Sequence, residues 1–340
     1  MSLYLTLSHI QVQNANCVAG ITYGFPAITQ FLGFTHALSL KLLNSNQIAP
    51  QINLEGCAVI CHEHQAHIYK QKVTKDSKTR ITDYYFKQTR NPAAGRYEQD
   101  KIGGSPSIIE EGKMHLTVSL VIECNGFNGT DADKTILLDH IKNLALTHRL
   151  AGGVITTIKD AFLDSSDGDG FRRIRRRLLP GFVLRDRSEY LREHLELLQS
   201  ENPNAEMIDA WLDFSALKFK AEPVLNKDEK PSKSTKANWK HLKSHKYGGW
   251  LVPITTGYQA ISKVYPAGEV ANTRNPEFPF CFVEAVYGIG EWQSPHKIEN
   301  LQQILWKYSY EENWYLCKQA SIEETDITEN NDIDLYILGD

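Results

Sequence analysis

Cysteine is scarce and scattered in this sequence. Cys17, Cys57, Cys61, Cys124, Cys281 and Cys317 are the only six thiols in 340 residues, and no C-x2-C pair occurs among them. So sparse a set predicts reduced thiols, not a disulfide frame. Long apolar runs are also missing: no stretch approaches the roughly 18 residues that a bilayer span requires. The first residues, Met1-Ser2-Leu3-Tyr4-Leu5-Thr6-Leu7, alternate apolar and polar side chains where a signal peptide would carry a basic leader and a continuous apolar stretch. These absences predict a cytoplasmic chain with no membrane contact.

Catalytic and cofactor signatures are thin as well. There is no P-loop and no G-x-S-x-G elbow, and Gly288-x-Gly290 lacks the later glycine of a dinucleotide fingerprint. Asp164, Asp167 and Asp169 sit among Gly168 and Gly170 like part of a calcium loop, but Arg175 stands where the closing glutamate would be. Acids there suit the N-terminal end of a following helix. Cys57-x3-Cys61-His62-x-His64-x2-His67 supplies zinc-type ligands. In a strand, however, the two cysteines point to one face and His62 and His64 to the other, so no metal site is expected. A nuclease would draw its acid and base from His9, His36 or His148. The last two fall in predicted helices beside apolar positions, where packing is their natural role. No catalytic residue, metal or cofactor is therefore expected.

What the chain has instead is arginine. Arg172, Arg173, Arg175, Arg176 and Arg177 lie between Asp167-Gly168-Asp169-Gly170 and Leu178-Leu179-Pro180-Gly181. At about 100° per residue, Phe171, Ile174 and Leu178 share one stripe of a helix and the arginines cover the rest. Guanidiniums suit phosphate geometrically, and a cluster this dense repels itself unless an anion arrives. The net charge of −4 does not oppose a polyanionic partner, because the seven acids of 321–340 account for −7 and leave the remainder at +3. Lys70–Lys101 holds nine Lys and Arg against four acids, and Lys227–Lys246 holds seven lysines against two. Local patches of this kind set the field that a nucleic acid meets. The bland alternative is a solvated charged face that serves solubility.

Hydrophobic patterning predicts strand, helix, strand, long insertion, strand, helix, strand over the first 160 residues. Leu3, Leu5 and Leu7 share a face, and the apolar phase then shifts to Ile10 and Val12, which predicts a bulge near Ser8-His9. Ile28, Phe31, Leu32, Thr35, Leu38 and Leu42 give the first helix, and Leu137, Leu138, Ile141, Leu144 and Ala145 the second. Leu54–Ile68, Lys113–Glu123 and the stretch from Val154 read as strands. This βαββαβ order predicts an α+β fold with a ferredoxin-like, RRM-like palm over residues 1–160. A basic arm is expected at about 69–112. Residues 161–320 are expected to hold the arginine helix, a strand at Phe182-Val183-Leu184, two helices near Ser188–Ser200 and Ala205–Leu217, and an α/β C-terminal portion. That portion is expected to include a mobile lysine-rich loop at 222–247 and a helix opening at Ser294-Pro295, with 321–340 a fraying acidic tail.

Other segments suit RNA. Gln11-Val12-Gln13-Asn14-Ala15-Asn16 offers amides for base edges, Gln13, Asn14 and Asn16 among them, and Tyr23 in Thr22-Tyr23-Gly24-Phe25-Pro26 offers a ring for stacking. The same loop could simply cap the first helix. Arg149 precedes the bare pair Gly152-Gly153, which suits close approach to a sugar-phosphate chain and equally suits a tight helix-to-strand turn. Arg90 in the arm and Trp250 in Gly249-Trp250-Leu251-Val252-Pro253-Ile254 complete the set of candidate RNA contacts.

Read in order, these segments resemble the second Csy subunits of type I-F CRISPR surveillance complexes, members of the Cas repeat-associated RNA-binding superfamily. The resemblance is carried by Gln11–Asn16, Tyr23-Gly24-Phe25-Pro26, Phe31-Leu32-Gly33-Phe34, Val59-Ile60-Cys61-His62 and Glu110-Glu111-Gly112. It continues through Arg149–Gly153, Arg176-Arg177-Leu178-Leu179-Pro180-Gly181-Phe182, Gly249–Ile254, Phe282-Val283-Glu284 and Trp292-x-Ser294-Pro295-His296. It implies a subunit that caps the five-prime handle of the CRISPR RNA, pairs with the large Csy subunit, touches the first backbone subunit and meets target DNA through the assembled complex. In this subtype a separate endonuclease cuts the guide, so the resemblance implies no catalysis. Two other functions remain in view: a repeat-RNA endonuclease of the same superfamily, and a scaffold whose arginines meet an acidic protein.

Overall fold

In the computed structural model, which describes residues 2–45, 51–75, 78–90, 108–216, 218–224, 236–242 and 245–320, strand β1 (Leu3–Asn16) lies inside a large antiparallel sheet. The bulge expected at Ser8-His9 is present: pairing breaks between Leu7 and Ile10, and His9 takes a φ of +49°. The inserted residue changes the parity, so Leu5 and Leu7 before it and Ile10 and Val12 after it all enter the same core.

The short pair β2 (Val18–Ala19) and β3 (Thr22–Tyr23) leads to α1 (Ile28–Asn44) and then to β4 (Asn53–Ala66). Next come β5 (Ile68–Lys75), β6 (Lys78–Arg90), β7 (Ile108–Glu111) and β8 (Lys113–Asn125). Helix α2 (Asp131–Leu146), β9 (Arg149–Leu150) and β10 (Gly153–Ser165) follow. Strands β4, β8, β1 and β10 are neighbours in that order, every pair antiparallel. Ile28, Phe31 and Leu38 of α1 and Leu137, Ile141 and Ala145 of α2 pack with Leu7, Val118 and Leu120 in one core, which puts both helices on one face. Thr130 starts α2 with a reciprocal capping box, its hydroxyl receiving the Asp133 N–H while Asp133 receives the Thr130 N–H. The basic insertion forms a three-stranded sheet, β5-β6-β7, in which Arg90 pairs with Ile108; residues 91–107 of the expected arm lie outside the described residues.

The second half runs through α3 (Gly168–Arg177), β11 (Phe182–Asp186), α4 (Glu189–Glu201) and α5 (Met207–Ser215). After these come β12 (Lys218–Pro223), β13 (Ala237–Leu242), β14 (Leu251–Ala260), β15 (Val283–Gln293), β16 (Trp306–Glu311) and β17 (Trp314–Gln319). In the lysine-rich 222–247 stretch, expected as a mobile loop, the end of β12 and all of β13 belong to a pair of antiparallel strands; its residues 225–235 and 243–244, and the tail 321–340, lie outside the described residues. The expected helix after Ser294 is replaced by two 3-10 turns, Pro295–Lys297 and Gln302–Ile304. The backbone is extended at Ile298, which ends the first turn, and Asn300 Oδ1 takes the Gln302 N–H at 2.8 Å where the second begins. Ile298, Leu301, Ile304 and Leu305 are buried all the same, and with Ile174 and Leu178 of α3 they cover Tyr4, Ala58, Ile60 and Val121 on the second face of the sheet.

Strand β4 joins the two halves. One edge pairs with β8, while the other is shared between β16, at Cys57–Trp306, and β11, at Ile60–Cys61. Because β11, β15, β14, β17 and β16 are successive neighbours, these contacts close a ring of strands through β4. Trp306 is fully buried there and its indole N–H donates to the Leu184 carbonyl at 3.2 Å. At Gly56, φ is +59° and an added Cβ would lie 2.8 Å from the Trp306 carbonyl, so the crossing between sheet and ring needs glycine.

Candidate nucleic-acid interface

Helix α3 begins where its acids direct it. The Gly170 N–H donates to Asp167 Oδ1 at 2.7 Å and the Ser165 hydroxyl donates to Oδ2 at 2.6 Å. The Ser165 bond first and the Gly170 bond second hold the Asp167 carboxyl below its usual range. Ile174 and Leu178 are buried and Phe171 packs beside them, as the spacing predicts.

The arginines are not the uncommitted face expected from sequence. Arg173 Nε donates to Asp164 Oδ1 at 2.8 Å, Arg177 donates to the other oxygen of the same carboxylate, and Arg172 bonds Asp169 at 2.7 Å. The chain thus supplies its own anions to three of the five guanidiniums. Asp164 is buried at 7% side-chain exposure, a position that a carboxylate holds only with such partners. The Arg177 guanidinium also lies 3.7 Å from the Phe162 ring centroid, a cation–π contact. Among the described residues, Arg175 and Arg176 pair with no carboxylate. Arg172 and Arg173 stay more than half exposed, and a guanidinium has five donors, so donors remain for phosphate.

The asparagine loop and the glycine pair meet, but largely to build the chain. Leu150 and Gly153 pair across the two-residue turn Ala151-Gly152, with φ of +51° and +75°, the signature of a type I′ hairpin. The Asn16 N–H donates to the Ala151 carbonyl at 2.8 Å, and Asn16 Oδ1 receives Lys113 Nζ at 3.0 Å. A Cβ on Gly152 would lie 2.7 Å from Asn16 Nδ2, and one on Gly153 would lie 2.6 Å from the Gln13 carbonyl. The bare backbone is therefore occupied by β1's own end, and the turn joins β9 to β10 instead of joining α2 directly to a strand. Gln13, Asn14 and Arg149 remain exposed beside it. Since Val154 pairs with Gln13 and Ser165 with Leu3, this turn and the start of α3 stand at opposite ends of β10, about 35 Å of strand apart. The structure does not bring them to one point.

Between them runs a groove on the sheet face opposite α1 and α2, lined by Gln11, Glu63, Thr117, Lys159 and Pro180. His62 forms part of it and is fixed on both nitrogens. A carbonyl can only accept, so His62 Nδ1–H donates to Pro180 O at 2.5 Å, and the neutral ring then accepts the Ser119 hydroxyl at Nε2, 2.7 Å away. Ser119 Oγ in turn receives the His9 N–H at 2.9 Å. The His9 and His62 rings stack at 4.0 Å. Burial first, and for His9 the neighbouring His62 second, lower both imidazoles below 6.5.

Tyr23 and Trp250, predicted separately, do converge. They line a cavity of about 310 Å³ with Phe25, Phe182, Trp292 and His64. Phe182 and Trp292 escaped the residue-by-residue reading because each is isolated in sequence. Cys57 lies under α1 in the main core, but Cys61 lines the cavity together with His62 and His64, against the expected separation of cysteines from histidines, because the pairing of β4 with β8 shifts between Cys61 and Glu63. Burial raises the Cys57 and Cys61 thiols to about 12, which keeps them protonated. His148 sits edge-on to Phe34 and His36 to Tyr308, both in packing contacts. The side chain of Arg90 lies outside the described part.

The chain matches the family model for CRISPR-associated protein (Cas_Csy2) over residues 5–317. It is 36% identical to a CRISPR-associated protein Csy2 of Pseudomonas aeruginosa (strain UCBPP-PA14) over 321 residues, 90% of this chain and 91% of that protein. Among the described residues no helix is long and apolar enough to cross a membrane.

Proposed function

Since the chain belongs to the Csy2 family of CRISPR-associated proteins, the second Csy subunits of type I-F systems, we propose that it is the non-catalytic RNA-binding subunit capping the five-prime handle of the CRISPR RNA in the surveillance complex. The match across residues 5–317 carries this conclusion. The order β4-β8-β1-β10 with both helices on one face supports taking the palm as ferredoxin-like, an arrangement that RNA-recognition sheets share. The β5-β6-β7 sheet is its arm, and Arg90 at the end of β6 belongs to that arm's contact with the guide.

In this function the exposed donors of Arg172, Arg173, Arg175 and Arg176 hold phosphates near one end of β10, and Arg149, Gln13 and Asn14 hold the chain at the other. The groove with its neighbouring cavity carries the RNA between them. Contacts to phosphate set affinity and its salt dependence, while amides and rings set base preference. The large subunit and the first backbone subunit flank this cap, and target DNA is met through the assembled complex in the cytoplasm. No metal or cofactor is required.

The alternative is a repeat-RNA endonuclease. His62 is poorly suited to that chemistry, because both of its ring nitrogens are engaged by Pro180 and Ser119. Copurification from cells expressing the CRISPR locus, followed by sequencing of the bound small RNA, should give five-prime ends at the repeat handle. Specific cleavage of repeat RNA by the purified chain without metal would overturn the holding function, and a fully stable RNA-free complex would favour the scaffold.

A further inference from the structure

The aromatic cavity has a more specific use than general contact. Its volume of about 310 Å³ stands at the bottom of the range for small-molecule sites, about 300–1,000 Å³. That admits one flat ring system and excludes a folded oligonucleotide. Phe25 before α1, Phe182 at the start of β11, Trp250 ahead of β14 and Trp292 near the end of β15 supply its rings.

These rings meet edge to face. Phe182 and Trp250 stand 5.4 Å apart at 75°, and Phe25 and Trp292 stand 4.8 Å apart at 80°. An edge-to-face pair satisfies both quadrupoles while leaving one π face of the pair uncovered, which a flat guest can stack upon. Tyr23, Phe182 and Trp250 keep 57%, 44% and 53% of their surface open to solvent. Exposed apolar patches of this kind mark interaction and ligand-binding sites.

The mouth is polar. His64 lines both this cavity and the adjoining groove, where Gln11, Gln13 and Thr117 offer donors and acceptors, and Lys159 adds a cation further along. An apolar hole opening on a polar groove divides a ligand into a flat apolar part and a charged strand. A nucleotide in single-stranded RNA has both.

We propose that this cavity receives one unstacked nucleobase of the bound RNA, whose sugar-phosphate stays in the groove. The proposal rests on the RNA-binding function above and narrows it to a single position of the guide. The test uses handle RNAs in which one base at a time is replaced by an abasic site, bound to the full-length chain and to W250A, W250F and Y23A. One abasic position should weaken binding about tenfold. W250A should lose a similar factor on intact RNA and show no further loss at that position, while W250F retains most of the affinity. Y23A, altered on an exposed rim, provides the same readout should W250A fold poorly. If intact handle RNA binds wild-type chain and W250A alike and no position couples to Trp250 or Tyr23, the proposal is overturned. Loss of complex assembly in W250A with unchanged RNA affinity also overturns it, in favour of an aromatic side chain from a partner subunit. Failure of wild-type chain to bind any handle RNA refutes the underlying function instead, so the two failures are told apart.

Discussion

His9 and His62 stack with ring centroids 4.0 Å apart and planes 13° from parallel, the face-to-face contact made possible by the positive φ of His9. Both rings titrate below 6.5 in the folded chain, through burial first. A lowered folded-state pKa means that the unfolded chain binds more protons at mildly acidic pH, so stability is full above about 6.5 and falls as pH drops through the folded values. Denaturant titrations between pH 7.5 and 5 should show this loss, and H9A should reduce its slope.

Asp164 compensates two arginines from a buried position. D164A should lower the free energy of unfolding by about 1.5–3 kcal/mol, the range for hydrogen bonds to charged groups. Thermal melts would measure it. The same variant should not weaken RNA binding, because it releases guanidinium donors.

The opposite pattern is expected when arginine itself is removed. R173A combined with R176A should weaken handle binding and reduce the salt slope by up to about 1.4, at about 0.7 per charge on a single strand. Most of that change should come from Arg176, which pairs with no carboxylate among the described residues, whereas Arg173 is shared with Asp164. Binding isotherms at several salt concentrations decide this, and an unchanged slope would count against α3 as a phosphate contact.

Gly153 has β1 directly above it: a methyl there would lie 2.6 Å from Val12 Cγ1 and 2.7 Å from the Ala15 N–H nitrogen. G153A should cost about 1–3 kcal/mol through overpacking. The loss should appear in a melt without RNA, which separates it from any change in binding.

Trp306 is fully buried at the crossing of sheet and ring. W306A should cost about 3–5 kcal/mol, while W306F should cost less, losing mainly the bond to Leu184. Near-ultraviolet circular dichroism with urea titration would follow both.

Local periodicity made much of the first half of the chain legible. The shift from Leu7 to Ile10 revealed the bulge, and the i, i+3, i+4 pattern of Ile28 to Leu42 revealed α1, because each depends on neighbours in sequence. The fate of the arginines was not legible in the same way. Asp164 had been assigned with Asp167 and Asp169 to the start of α3, yet it pairs a turn or more into the helix, a consequence of how α3 folds back over β10. The glycine pair was read as a tight helix-to-strand turn or a contact; the strand β9 that makes it a hairpin turn, and the β1 backbone packed on it, lie beyond local pattern. Tyr23 and Trp250 were singled out for their chemistry, but their common cavity depends on β11 pairing with β4 and on β14 joining the same ring through β15, which no local pattern encodes. The 3-10 turns after Ser294 carry the same reminder: Ile298 and Leu305 bury as a helix would bury them, while the backbone is already extended at Ile298.

The hand-over along β4 has a further consequence for behaviour in the cell. A strand whose outer side were paired at one end only would offer free amide and carbonyl groups to any extended chain nearby, the usual route to sheet-to-sheet sticking. Here β16 covers one stretch and β11 the next. A ribosome that has released only the first half of the chain has made neither cover, so the nascent sheet is vulnerable to misassociation until Trp314–Gln319 emerges and the ring shuts.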